Sequence, residues 1–137
     1  ADDDFINNTN FEVRDVIALN ETDRYDLTTA FDAIHDQRDP QAVLNKVAQA
    51  LRRGGTFLMQ DIDSSVHLEE NIGHPIGTFL YTISAMHCMT ISLAQGGAGL
   101  GTMWGVEKAH ELLIAAGFTD VIIHRLPHGP QNAYFVA

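Results

Sequence analysis

The spacing of apolar and polar positions changes several times along the chain, and each change marks an element. In "NFEVRDVIAL", Phe11 and Val13 alternate with polar neighbours before Val16 and Ile17 follow together. That pattern predicts a strand ending near Asp15. "YDLTTAF", Tyr25 to Phe31, predicts a second short strand, since β-branched Thr28 and Thr29 suit a pleated surface. "DPQAVLNKVAQALRRGG" then switches to helical spacing. Asp39 stands where it can cap the helix and Pro40 fits the first turn, while Val43, Leu44, Val47 and Leu51 form one apolar stripe. Arg52 and Arg53 fall where the helix dipole favours cations, and Gly54 suits a left-handed stop. "TFLMQDI" predicts a buried strand over Thr56 to Gln60, with Asp61 at its carboxyl end.

One long helical stretch, about Ile76 to Ala94, fills the middle, and "VEKAHELLIAAGF" predicts another helix stopped by Gly117. "TDVIIHRL" and "NAYFVA" predict strands over Thr119–Leu126 and Asn132–Val136, with "PHGPQ" as the turn between them. Early alternation of strand and helix predicts parallel pairing. The closing pair is near enough in sequence for an antiparallel hairpin. The expected fold is an α/β sheet with an antiparallel edge, free of repeats and low-complexity segments.

"GGAGLG", Gly96 to Gly101, invites comparison with the glycine-rich turns that hold dinucleotides. Such a cradle needs a strand directly before it, so that the turn aims helix amides at the ligand. Here a helix precedes it, and Asp120 comes before a strand instead of ending one. The run therefore predicts a helix stop and mobile connector. The alternative is a lid in which Met103 and Trp104 cover an apolar ligand face.

Composition narrows the function classes. Apolar residues make up 45% of the 137 positions and charged residues 19%, which suits one globular domain with a sizeable core. The formal charge of −10 leaves no basic stripe for a phosphate backbone, so no nucleic-acid partner is expected. The opening "ADDD" is expected to be a solvated start. A single cysteine, Cys88, excludes an intramolecular disulfide framework and fits a reduced, cytoplasmic setting. The longest apolar-rich run carries Thr78, Ser84, His87 and Thr90, which marks a buried helix and not a membrane span. His35, Asp36, Asp61, Asp63 and His67 lack ligand spacing such as Glu-x-x-His, so no metal is expected there.

"YDLTTAFDAIHDQRDPQAVLNKVAQALRRGGTFLMQDI" resembles the second half of a class I S-adenosylmethionine-dependent methyltransferase. The closing "LLIAAGFTDVIIHRLP…NAYFVA" resembles that family's last helix and antiparallel hairpin. The middle "LYTISAMHCMT…GGAGLGT" is similar to a bacterial subgroup whose catalytic domain can follow a winged-helix domain. The resemblance implies a Rossmann-like sheet, mostly parallel with a C-terminal antiparallel hairpin, in the family order 3-2-1-4-5-7-6. The chain departs from the family before "NFEVRDV": the glycine-rich loop after strand one and the ribose-holding acid after strand two are not in it. Residues 1–137 then correspond to strands three to seven, lacking the first two strands.

The resemblance also assigns residues. Asp15 and Val16 would face the adenine, against a bland reading of Asp15 as a cap acid. Ala30, Phe31 and Asp32 would bring a backbone carbonyl near the cofactor's ammonium, and His35 would lie on the cofactor side. Tyr81, Met86, His87, Met89 and Trp104 are the candidates for an acceptor pocket, with a core or dimer face as the bland reading. The expected function is methyl transfer from S-adenosylmethionine to a small-molecule acceptor, with the catalytic residue unassigned. The alternatives are a non-catalytic module that dimerises or binds a ligand, and a metal-dependent hydrolase. An unpaired Tyr25–Phe31 edge further predicts a homo-oligomer.

Overall fold

The computed structural model describes residues 8–137, so the solvated start expected of "ADDD" lies outside the described residues. A 3-10 turn at Val16–Ala18 leads to strand β1, Tyr25–Phe31. Helix α1, Pro40–Ala50, and strand β2, Leu51–Ile62, follow. A 3-10 turn at Leu68–Asn71 precedes helix α2, Gly77–Ile83, which runs through a π turn, Ser84–Cys88, into helix α3, Met89–Ala94. Helix α4, Val106–Ala115, and strands β3, Ile122–Arg125, and β4, Asn132–Val136, complete the chain.

The four strands form one sheet in the order β1-β2-β4-β3. β1 and β2 pair parallel, and β4 pairs antiparallel with both β2 and β3. β1, β2 and β3 therefore share one direction and β4 alone is reversed. This is the 4-5-7-6 half of the order the resemblance implied. The expected strands Tyr25–Phe31, Thr56–Gln60 and Asn132–Val136 all lie in this sheet, and Thr119–Leu126 contains β3.

The strand expected to end at Asp15 does not form. Residues 9–15 have neither helix nor strand, and Phe11 and Val13 are fully exposed. Alternation favours a strand only where another strand accepts its hydrogen bonds, and the sheet gives this segment none. The end of α1 also differs. The helix stops at Ala50, four residues before Gly54, because Leu51 turns extended and pairs with Tyr25. One step of two residues on β1, Tyr25 to Leu27, then matches five on β2, Leu51 to Thr56. The extra residues form a bulge in which Gly54 takes φ +78. Gly54 is left-handed as expected, in a bulge instead of a helix cap. Arg52 and Arg53 thus lie outside the helix, and Arg52 Nη1 donates to both Asp26 carboxylate oxygens at 2.7 and 2.8 Å.

The core lies on one face of the sheet. Leu44 of α1, Phe57 and Met59 of β2, Leu113 of α4 and Phe135 of β4 are at most 1% exposed. Trp104, Ala109 and Ala133 complete the same cluster. At roughly 1.5–3 kcal/mol per large apolar side chain, this layer is the main source of stability. A smaller cluster of Ile62, Leu80 and Met103 seats α2 at the carboxyl end of β2. No helix among the described residues is long and apolar enough to cross a membrane.

Candidate functional site

The carboxyl ends of β1 and β2, neighbours in parallel, concentrate the buried chemistry. Parallel strands end in loops at one rim of a sheet, which is where α/β folds place ligands. β1 runs out at Phe31 and the chain turns sharply at Asp32, whose φ is +45. Aspartate tolerates the left-handed region better than most residues. Gln60 fixes the turn from both sides: its carbonyl accepts from Asp32 N–H and its Nε2 donates to Asp32 Oδ1, both at 3.0 Å.

Three residues later the loop buries His35 against the end of β2. His35 Nδ1 lies 2.8 Å from Asp61 Oδ1, and both side chains are nearly inaccessible. Asp61 Oδ1 also accepts from Ile62 N–H at 2.9 Å. On its other side, His35 Nε2 lies 3.2 Å from Asp36 Oδ1. Burial alone lowers the histidine's pKa, but Asp61, Asp36 and Asp32 together outweigh it and hold the pKa above 6.5. The surrounding carboxylates favour the protonated form of the imidazole. Burial pushes the Asp32 carboxyl up, and Asp61 and Asp36 add to the rise against the opposing effects of Gln60 and His35.

The third wall comes from the π turn. There the Met89 N–H reaches back to the Ser84 carbonyl, an i→i+5 bond. The wider turn keeps Leu80, Ser84, Cys88 and Ser92, four residues apart, all on the buried side. Cys88 accepts from Thr102 Oγ1 at 3.3 Å, and burial raises its thiol pKa. His35, Asp36 and Cys88 offer one donor atom each within 4.8 Å of one another. Sequence grouping had joined His35 and Asp36 to Asp61, Asp63 and His67, and missed Cys88, which lies 52 positions past Asp36. No local pattern carries that pairing.

The other expected residues scatter. Asp15 caps the first 3-10 turn, its Oδ1 accepting from Ile17 N–H at 3.0 Å. Val16 packs on the main core and lines a hollow with Arg24 and Tyr25 at the start of β1, the strand's opposite end from Ala30 and Phe31. Met86 and His87 do come together, with Phe79, Thr82 and Ile83, around an open apolar hollow of about 510 Å³. Tyr81 does not join them: it packs on the smaller cluster and its hydroxyl accepts from Asn71 Nδ2 at 2.9 Å. Met89 faces Gly101, and Trp104 is 4% exposed within the main core. Trp104 and Met103 are core residues, which overturns the lid alternative.

"GGAGLG" does follow a helix, as expected, but it is pinned rather than slack. Ala98 N–H donates to the Arg38 carbonyl and Gly97 N–H to that of Ser92, at 3.0 and 2.9 Å. Ser92 Oγ donates to the Gln37 carbonyl and accepts from Gly99 N–H. The run thereby ties α3 to the loop that carries His35.

Comparison with known proteins places this arrangement. The family described as "Methyltransferase domain" matches residues 1–117. No curated protein matches the chain. Among solved structures, human N-acetylserotonin methyltransferase in complex with SAM superposes with a TM-score of 0.65 at 21% identity. That match covers 93% of this chain and 32% of the human one. An O-methyltransferase family protein from Burkholderia thailandensis gives 0.63 at 14% identity, covering 92% and 34%. PigF with SAH gives 0.61 at 18% identity, covering 89% and 33%. The chain spans about a third of the length of these three proteins. The family match, the 4-5-7-6 strand order and the ligand rim at β1 and β2 agree: the chain belongs to the methyltransferase-domain family.

Proposed function

We propose that this chain is part of an S-adenosylmethionine-dependent methyltransferase that acts on a small-molecule acceptor. The observation that carries the reading is the rim where left-handed Asp32 and the His35–Asp61 pair meet at the ends of two parallel strands. The rim suits such a cofactor, whose sulfonium and ammonium are cations. Asp32, Asp36 and Asp61 gather there around one imidazole, and Asp61 Oδ2 is buried with no hydrogen-bond partner. Bound there, S-adenosylmethionine supplies an activated methyl group on sulfur.

This chain's own residues bind and orient. Ala30 and Phe31 present backbone carbonyls at the rim, and Asp32 supplies a carboxylate whose position Gln60 fixes. His35, locked by Asp61, holds the loop shape on the cofactor side. Asp15 and Val16 lie at the opposite end of β1 from the rim, so the adenine contact that the resemblance gave them is not carried into this reading. Met86 and His87 are the acceptor-side residues, since their hollow is open and mainly apolar. Methyl transfer needs alignment and exclusion of water more than covalent help, so no catalytic base is assigned. We place the protein in the cytoplasm on the unpaired Cys88, and expect assembly with a second copy through β1.

A 15N NMR titration with S-adenosylhomocysteine, carried to millimolar concentration, tests the assignment. Amide shifts are expected to cluster on residues 30–36. Shifts confined to other parts of the chain, or none at all, would remove the cofactor from this rim.

A further inference from the structure

His35 and Asp36 of the rim meet a third donor, Cys88, that the methyl-transfer reading leaves unused. We propose that these three side chains bind a divalent transition metal of the zinc class, with Asp61 and Thr102 as supporting partners. The site shares His35, Asp36 and Asp61 with the proposed rim, but its test needs no methyl-transfer cofactor.

The donor types match. Imidazole nitrogen, carboxylate oxygen and thiolate sulfur are the three groups that zinc accepts. Thiolate and carboxylate together carry two negative charges, which balance a divalent ion beside a neutral imidazole. In a tetrahedral site with metal–ligand bonds near 2.0–2.3 Å, neighbouring donor atoms sit about 3.3 Å apart. His35 Nε2 and Asp36 Oδ1 are already 3.2 Å apart, and Cys88 Sγ lies within 4.8 Å of both. Closing the set takes a side-chain movement at Cys88 of no more than about 1.5 Å to reach that bond geometry.

The surroundings match as well. His35 turns its second nitrogen, Nδ1, to Asp61 at 2.8 Å. A metal-bound histidine characteristically donates its other ring N–H to a carboxylate, which fixes the ring and raises its basicity. Asp61 is 1% exposed, so this carboxylate is committed to the interior. Asp36 Oδ1 is buried and makes no well-formed hydrogen bond, with His35 Nε2 at 3.2 Å beside it, and a cation between the two would satisfy both. Thr102 Oγ1 is placed to donate to the sulfur. Cys88 reaches the site only because the π turn holds it on the buried side, and such turns are frequent at functional sites. His35 and Cys88 are buried while the Asp36 side chain is 35% exposed, so an ion enters past Asp36. Two of the four positions of a tetrahedral ion are then held by buried groups, and the fourth stays open to a small ligand.

Cobalt(II) chloride titrated into the reduced 137-residue protein tests this by absorption. The expected result is one bound ion per chain, with a sulfur-to-cobalt charge-transfer band and the intense visible bands of tetrahedral cobalt. Zinc should displace it. The chain has one cysteine, so Cys88→Ser must abolish the charge-transfer band. Asp36→Asn serves as an independent check at a half-exposed position and should weaken binding at least tenfold. Asp61→Asn should keep the band and weaken affinity 10- to 100-fold, the effect of a positioning residue. Circular dichroism of each variant reports folding. No saturable binding by the folded wild-type chain would overturn the site. A charge-transfer band that survives Cys88→Ser, or unchanged affinity in folded Asp36→Asn, would overturn it equally.

Discussion

At the scale of single residues, the costly feature is a histidine buried between carboxylates. His35 and Asp61 give up hydration and recover it through each other, with Asp36 and the Ile62 N–H as their further partners. Removing one partner strands the other charge. Asp61→Ala should therefore destabilise the fold by about 3–5 kcal/mol, measured by urea unfolding. A loss under about 1 kcal/mol would mean that His35 is neutral in the folded protein. Glu107 offers the contrasting case at the surface. Burial raises its pKa, but backbone N–H groups, its own and that of Val66, and the Ser65 hydroxyl outweigh this and hold it below 4.5. A carboxyl depressed on folding stabilises fully above its unfolded pKa and loses that contribution as pH falls through its folded value. Wild type should thus lose stability relative to Glu107→Gln between pH 5.5 and about pH 3, and urea midpoints at the two pH values check the sign. Neither residue stood out in the sequence for this role. Asp61 was visible as a strand-end acid, but its partner lies 26 positions away, and Glu107 reaches back 41 positions to Val66.

Elements were legible where local spacing decides and illegible where distant contacts decide. α1 starts as read, with Asp39 Oδ1 accepting from Ala42 N–H at 2.9 Å, because a cap is a three-residue event. Its end was misplaced because Leu51 obeys β1 instead of the helix. The π turn left no trace in the apolar spacing. "GGAGLG" shows the same limit: its glycines read as slack, yet they are small for packing reasons. A Cβ on Gly97 would stand 2.6 Å from the Arg38 carbonyl, whereas one on Gly96 meets nothing within 4 Å. Gly96 has φ +68, so alanine there suffers backbone strain of roughly 1–2 kcal/mol. Gly97→Ala must move backbone and should cost about 1–3 kcal/mol by overpacking, while also disturbing the His35 loop. The two variants separate by the second effect: NMR shifts should reach residues 34–38 for Gly97→Ala and stay near residue 96 for Gly96→Ala. Equal, local perturbation in both would show that the connector is slack after all.

At the scale of the whole molecule, one sheet face is packed and the other is open. Paired residues share a face: Leu27, Thr29 and Phe31 of β1 lie beside Thr56, Leu58 and Gln60 of β2, the last two beside Val136 and Tyr134 of β4, and Val136 beside Ile122 of β3. Leu27, Phe31 and Ile122 are each more than half exposed. β1 is also the end strand of the sheet, with an unpaired edge among the described residues. An apolar strand that is both exposed and unpaired is a template for another strand. In the resembled order 3-2-1-4-5-7-6 this position has a strand on each side, so the edge that is open here is paired there. A second copy meeting β1 edge to edge would satisfy the backbone and bring the two Leu27–Phe31 rows together. Sedimentation at rising concentration should therefore show a reversible shift from monomer to dimer. Lysine at Leu27 places a charge in that row without touching the packed face, so Leu27→Lys should abolish the shift and keep the circular dichroism spectrum. Wild-type protein that stays monomeric at hundreds of micromolar, or a Leu27→Lys variant that dimerises unchanged, would rule out assembly through this edge.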